Sequence, residues 1–418
     1  MLHTNTISRL FFLAVFLFLP CSFVNAATNI TTNISSDTVW SKEAGPYVVM
    51  NAISILPGTT LIIEAGTIIK FNATTKLNVE GSLYINGTET EPVSITSIHD
   101  DTIGGDTNQN GTSTSVDRLT RRFAGITFLA GSTGEVTYTN IYSAGYVSNS
   151  IPRQPALYNQ GGNVLVKNSL IENNDYYGIG QTAGTFSVID TTIKEQLIGV
   201  VIKNGDFNID NVVIKNSSLY GVMAAGGGNL TIKNTTFENN YITGGFWLDG
   251  GKQFDLINNS VSSGEYKGFL LQGPVAGEVT LPKTEGISYY ITGVGGSPEG
   301  AGELSFPRRS HLEVLAGATL TFEAGAVVKS EKEVGIEVKG QLIANGTGSN
   351  PVIFTAYTDS LEGSIQSGTP TGGSGGYIRA YPGSTVSLDY TKIQYGSSPY
   401  QSYQGTIVNV GGAINITN

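Results

Sequence analysis

The chain has 418 residues, with 23 Lys and Arg against 33 Asp and Glu for a net charge of −10, and no long basic run. That balance argues against nucleic acid as a partner, since phosphate binding depends on clustered Lys and Arg. The single cysteine, Cys21, lies in the leader and leaves the mature chain without disulfides or thiolate metal sites, while 54 glycines among abundant Asn, Thr, Ile and Val indicate short strands separated by tight turns.

Residues 1–26 read as a secretory signal peptide: Arg9 precedes the apolar run LFFLAVFLFLP, and Val24-x-Ala26 is a small-residue cleavage site. The run is too short and wrongly flanked for a membrane anchor, and no later segment has the ~18 uninterrupted apolar residues of a transmembrane span. Lipidation at Cys21 is disfavoured by Pro20 immediately before it. The expected location is therefore secreted, extracellular or at the cell surface. Residues 27–46 are expected to form an extension or cap.

From Tyr47 the chain is duplicated. LPGTTLIIEAGTIIKF (56–71) returns as LAGATLTFEAGAVVKS (315–330), and NGTETEPVSITSIHD returns as NGTGSNPVIFTAYTD, at a constant offset of 259 positions without a gap. Roughly 18 of about 47 aligned pairs are identical, too many for composition alone. Two units follow, 47–288 and 289–418. GEVTLPKTEGISYYITG keeps strand alternation across the join, so one continuous spine is expected.

The middle of the first unit shows the repeat most plainly. VLVKNSLIENNDYYGIG, FSVIDTTIKEQLIGVVI, FNIDNVVIKNSSLYGVM, LTIKNTTFENNYITGGFWL and FDLINNSVSSGEYKGFLL each place alternating apolar residues before a polar turn and a glycine. Gly178, Gly199, Gly221, Gly244 and Gly268 recur every 21 to 24 residues. No helical period is visible, and a propeller blade needs about 40 residues. Coils of ~22 residues fit an all-β parallel β-helix, a solenoid in which each coil lays its strands on those of the coil before. Asn168, Asp190, Asn211, Asn234 and Asn258 then form one stacked polar column at a turn, with side-chain amides bonding up the stack. Asn173, Glu195, Asn216, Asn239 and Ser263 form a second.

The stretch GVGGSPEGAGELSFPRRS (293–310) is expected to protrude as a loop. The final NVGGAINITN copies NQGGNVLVKN and stops in mid-coil, so the C-terminal end is expected to continue into, or be covered by, further protein. Several N-x-[ST] sequons, including Asn86, Asn216, Asn234 and Asn345, coincide with turn or ladder positions, so glycosylation is not predicted.

YVV, LPGTTLIIEAGTIIKF, VEGSLYINGTETEPVSITS and DDTIGGDTNQNG, with the Asn-bearing coils after them, resemble the right-handed parallel β-helix repeat proteins of the pectin-lyase-like superfamily, closest to large secreted or surface-attached bacterial members. The resemblance covers nearly the whole mature chain. It implies a right-handed helix with protruding loops, and it leaves activity open, because this fold hosts lyases, hydrolases, adhesins and tail proteins.

No catalytic residues are assigned. The superfamily's polygalacturonase-like signature is not assembled: Asp100 and Asp101 form the only Asp-Asp pair, and the mature histidines, His99 and His311, are not followed by Gly. Arg118, Arg121 and Arg122 share an insertion with Asp100 and Asp101, which keeps lyase chemistry conceivable beside a solvated charged loop.

The strongest chemical motif is DTNQNGTSTSVD. Asp106, Asn108, Asn110 and Thr112, with Asp117 at the twelfth position, match the alternating oxygen ligands of a calcium loop, and Gly111 permits its sharp turn. Asn at two ligand places sets the expected Ca²⁺ affinity at about 0.1 to 1 mM.

The resulting expectation is an exported β-helix scaffold for adhesion or binding, contacting a polysaccharide or cell-surface ligand through loops near 100–122 and 293–310. The alternative is a carbohydrate-active enzyme, a polysaccharide lyase or glycoside hydrolase, with Trp247 or Tyr176 as aromatic platforms.

Overall fold

The structure, a computed structural model, describes residues 27–111, 122–145, 154–293, 311–364, 368–397 and 406–418. It is a right-handed parallel β-helix. Every pairing between its strands is parallel, so each coil extends the hydrogen bonding of the coil beneath it. Three faces line the first unit. The coil after Tyr177 shows all of them: Ile198–Ile202 lies on the first face, Asp206–Asp210 on the second and Val213–Lys215 on the third.

Alternation within these short strands decides what is inside. On the second face Ile63, Ile85, Val136, Val166, Val188, Ile209, Ile232 and Leu256 stand one above another through successive registered pairings, and none is more than 3% exposed. Burying one such side chain stabilises by about 1.5–3 kcal/mol. One continuous apolar core runs from Ile34 to Leu388, and a second, smaller cluster that includes Tyr177, Tyr220, Trp247 and Tyr290 packs separately from it.

Residues 27–46 already belong to the stack. Thr28–Ile30 pairs with Tyr47–Val49, and Thr38–Trp40 pairs with Thr60–Glu64.

The polar columns turn the corners. Asn168, Asp190, Asn211, Asn234 and Asn258 all have φ near +50°, the left-handed conformation that Asn and Asp tolerate best. Nδ2 of Asn211 donates to Asp190 Oδ1 at 2.8 Å, and Nδ2 of Asn258 donates to Asn234 Oδ1 at 2.8 Å. Between these two pairs the ladder steps sideways, since Asn234 Nδ2 donates to the carboxylate of Asp210 at 2.8 Å rather than to Asn211. A charged acceptor makes the stronger bond. In the second column Asn173, Glu195, Asn216 and Asn239 have positive φ as well, and Asn239 donates to Asn216 at 3.0 Å.

The repeating glycines have a steric cause. A Cβ on Gly178, Gly199 or Gly221 would lie 2.5 to 2.7 Å from a backbone carbonyl oxygen of the next coil, Gly199, Gly221 or Thr243 in turn.

The join between the units changes the phase of the stack. In the first copy the strand Ile68–Phe71 belongs to the third face, whose sheet ends at Ser260–Val261. Its counterpart 259 positions later, Val327–Ser330, stacks instead on Ser288–Ile291, which stacks on Gly264–Gln272 of the first face. The second copy's other two faces start new sheets at Pro274–Val275 and Glu278–Leu281. Strand pairing crosses this seam through the first-face sheet alone and the apolar core is unbroken, while the faces rotate by one place.

Candidate functional site

Duplication supplies an internal control for reading the buried charges. Lys70, on the outer side of Ile68–Phe71, is fully buried beneath the loop that follows Val93–Ser97. Its ammonium donates to the carbonyl oxygens of Asp100 at 2.9 Å and Gly105 at 2.5 Å. The Asp100 carboxylate accepts from Thr96 Oγ1 at 2.8 Å and from the backbone N–H of Thr102 at 3.1 Å. The second copy repeats each part. Lys329 donates to the carbonyls of Asp359 and Ser364, and the Asp359 carboxylate accepts from Thr355 Oγ1 at 2.6 Å and from the N–H of Leu361 at 3.0 Å. Burial lowers both lysines, Lys329 to about 8, against the opposing pull of nearby carboxylates. Asp100 is thus a loop anchor, and beside it the His99 ring nitrogen Nδ1 meets the Asn108 amide at 3.3 Å.

The calcium-loop residues are partly described. Both carboxylate oxygens of Asp106 accept backbone N–H groups, from Asn110 at 3.1 Å and Gly111 at 3.0 Å. Asn108 accepts from the same Asn110 N–H at 3.2 Å and donates to the Ile98 carbonyl at 3.1 Å. Thr112 and Asp117 lie outside the described residues. Among the described residues no three His, Cys, Asp or Glu side chains converge to hold a metal.

Aromatic side chains place a second feature on the outer first face at the seam. Trp247 is wholly buried and offers no ring, whereas Tyr176 is half-buried, tilted against Tyr177 at 6.2 Å. At the seam stand three rings in mutual contact: Tyr241, 42% exposed, then Tyr266 and Tyr357, both half-buried. Tyr241 and Tyr266 lie 5.6 Å apart, and Tyr266 and Tyr357 lie 5.7 Å apart. A shallow groove lined by Asn216, Ser218, Asn239, Asn240 and Glu265 leads up to Tyr241. Burial, then neighbouring tyrosines and the carboxylates Glu265 and Glu331, raise Tyr266 and Tyr357, so both rings remain neutral phenols in a negative surrounding. These tyrosines come from three coils and both units, and no spacing in the sequence joins them.

A third grouping lies, among the described residues, in the second copy. Glu313, Glu337 and Arg379 are stacked neighbours on successive coils. Arg379 approaches Glu337 at 3.6 Å and donates to Tyr381 Oη at 3.2 Å, while the Tyr377 hydroxyl donates to Glu337 and lies 3.5 Å from His311 Nδ1. Register places Ser54, Asn78 and Thr127 at the corresponding first-copy positions.

The model of the right-handed β-helix region family matches residues 180–281. The chain carries a right-handed β-helix region. Within it lie the Asn211 to Asn258 ladder and the groove before Tyr241. Among solved structures, a mutant of the periplasmic alginate epimerase AlgG is similar at 12% identity and a TM-score of 0.38, over 91% of this chain and 84% of that one. No curated protein sequence matches this chain. No helix of the β-helix, among the described residues, is long and apolar enough to cross a membrane.

Proposed function

We propose that the protein is an exported β-helix that binds a polysaccharide or surface glycan along the outer first face, across the seam between its two units. The observation that carries this reading is the row Tyr241, Tyr266 and Tyr357 at the head of an amide- and hydroxyl-lined groove. Aromatic rings offer rigid apolar area to the C–H face of a sugar, and side-chain amides and hydroxyls answer its hydroxyl groups in both donor and acceptor senses. Glu265 and Glu331 make a neutral chain a better match than an acidic one. Elsewhere the buried ammonium groups of Lys70, Lys252 and Lys329 donate to backbone carbonyls, a structural use.

The test is affinity electrophoresis of the full mature chain in gels containing neutral or acidic polysaccharides. Retardation in a neutral polymer that falls at least tenfold in the Tyr241→Ala, Tyr357→Ala double variant is expected. Equal retardation of wild type and variant would remove the reading.

The grouping of Glu337, Arg379, Tyr377 and His311 favours a second reading, a carbohydrate-active enzyme. A carboxylate, a phenol and an imidazole side by side are proton-transfer groups, and an arginine can hold a substrate anion. Product analysis on the same polymers separates the two: new reducing or unsaturated ends, lost in Glu337→Gln, support the enzyme.

A further inference from the structure

The anchored loop of the second copy, residues 357–364, grips more than its first-copy counterpart does. Both loops are fastened by a buried lysine, Lys70 to the carbonyls of Asp100 and Gly105 and Lys329 to those of Asp359 and Ser364. The second loop is also bonded to the strand at the seam, Ser288–Ile291. The Ser364 N–H donates to Ser288 Oγ at 3.0 Å, the Ser288 N–H donates back to Ser364 Oγ at 3.3 Å, and the Ser364 and Tyr290 hydroxyls share a hydrogen bond of 2.6 Å. Ser288, Tyr290 and Ser364 are all buried. Gly363 permits the approach, since a Cβ there would lie 2.3 Å from Ser288 Oγ. At the start of the loop the Tyr357 ring lies 5.5 Å from Tyr290, nearly edge-on, and 5.7 Å from Tyr266 of the first unit.

Duplication shows which residues make the difference. Tyr47 pairs with Ile69, and Tyr289 pairs with Val328, 259 positions beyond Ile69. Pro46 and Val48 therefore stand where the second copy has Ser288 and Tyr290, and Ile98 and Gly105 stand where it has Tyr357 and Ser364. Four residues without a hydroxyl become four that carry one, linked in a single chain of contacts. Lys70 fastens its loop with none of the four, so anchoring does not call for them. What they add is position: Ser364 holds the Tyr290 hydroxyl, Tyr290 backs the Tyr357 ring, and Tyr357 meets Tyr266, the middle ring of the row. A binding surface drawn from separate coils gains affinity when its rings are fixed before the ligand arrives, because less ordering is left to the binding step.

We propose that the 357–364 loop is a clasp in which Ser364 and Tyr290 position Tyr357, so that the aromatic row across the seam is complete only while the loop is docked. This rests on the reading of that row as a glycan-binding surface. Ser364 and Tyr290 are positioning residues, buried themselves and acting on a glycan through the Tyr357 ring.

The experiment is affinity electrophoresis of the full mature chain in gels containing hydroxyethylcellulose, glucomannan or galactomannan, with melting temperature measured alongside. Ser364→Ala and Tyr290→Phe each remove the shared hydrogen bond, and the second keeps the ring. Each should weaken retardation roughly threefold or more while the protein stays folded, and should add nothing in a Tyr357→Ala background, where the ring they position is gone. Should one of the two fail to fold, the other carries the test. Losses of the same size in both backgrounds overturn the proposal, since the bond would then act on the fold at large rather than through Tyr357. Unchanged binding in Ser364→Ala and Tyr290→Phe, with Tyr357→Ala still weakened, overturns the clasp and leaves the glycan reading standing. Wild type that is retarded by none of the three polymers, or Tyr357→Ala that binds as wild type does, removes the glycan reading and the proposal with it.

Discussion

Lys329 stands 259 positions after Lys70, and each ammonium donates to the carbonyl of the aspartate just after the strand stacked on its own, Val93–Ser97 in the first copy and Val352–Ala356 in the second. The equivalence survives although the two lysines sit on differently phased faces of the stack. The anchor therefore belongs to the duplicated unit rather than to the spine as a whole.

This gives a pH prediction with a defined sign. Burial lowers Lys329 from 10.5 to about 8 in the folded chain, so between about pH 8 and 10.5 the unfolded chain binds more protons than the native one. The contribution of this group to stability rises with pH across that window and is smallest below it. Lys329→Met removes the titration and leaves two buried carbonyls without their donor, at a cost of about 1–3 kcal/mol each. The expected outcome is a lower melting temperature throughout, with the gap to wild type widening from pH 7.5 to 9.5. A constant gap would show that Lys329 does not titrate there.

Asn234 performs three tasks: it adopts φ of +50°, donates to Asp210 and accepts from Asn258. Asn234→Ala loses all three and should destabilise by about 1–3 kcal/mol, while Asn234→Gly keeps the backbone conformation and should cost less. Denaturant midpoints of the two variants check the order. If Ala proves the milder change, the left-handed turn is not what the column provides.

The stacked polar columns and the duplication were legible because both are periodic: each coil must meet the next at the same residue, so Asn211 predicts Asn234. The seam was not. Strand alternation in GEVTLPKTEGISYYITG establishes that strands continue, but which face receives Ser288–Ile291 depends on the lengths of the turns around Pro274–Val275, to which alternation is blind. Site residues escaped for a related reason. Tyr241, Tyr266 and Tyr357 meet only once that rotation is known, whereas Trp247, conspicuous as one of two tryptophans, is buried. The aspartate pair was visible as a pair, but its division into an anchored Asp100 and an unpartnered Asp101 required coordinates.

Gly221 tests how closely the coils are stacked. An alanine Cβ there would sit 2.6 Å from the carbonyl oxygen of Thr243, a backbone atom that can move only with its coil. Gly221→Ala should cost about 3 kcal/mol, the upper end of the usual cost of overpacking, because the crowding atom belongs to the backbone. Gly58→Ala is the comparison, since φ is +76° there but nothing lies within 4 Å of the added atom, and strain alone costs about 1–2 kcal/mol. Urea melts showing equal losses for the two variants would mean that neighbouring coils yield more readily than their hydrogen bonding implies.

Phe269 joins the units mechanically. Its ring stacks on Phe246 at 4.7 Å, meets Phe237 at 6.1 Å, and reaches Tyr289 across the seam at 6.4 Å, while its backbone pairs with Gly244 below and Tyr289 above. Phe269→Ala should cost about 3–5 kcal/mol. In a stack whose coils contact only their neighbours, a local loss of this size falls on the coupling between the two halves. Wild type, with one continuous core, should unfold in a single calorimetric transition. The variant should show two, the lower assigned by limited proteolysis to one side of Ser288. A single transition merely shifted downward would instead mean that coupling across the seam is carried by backbone pairing and the remaining aromatic contacts, independently of this ring.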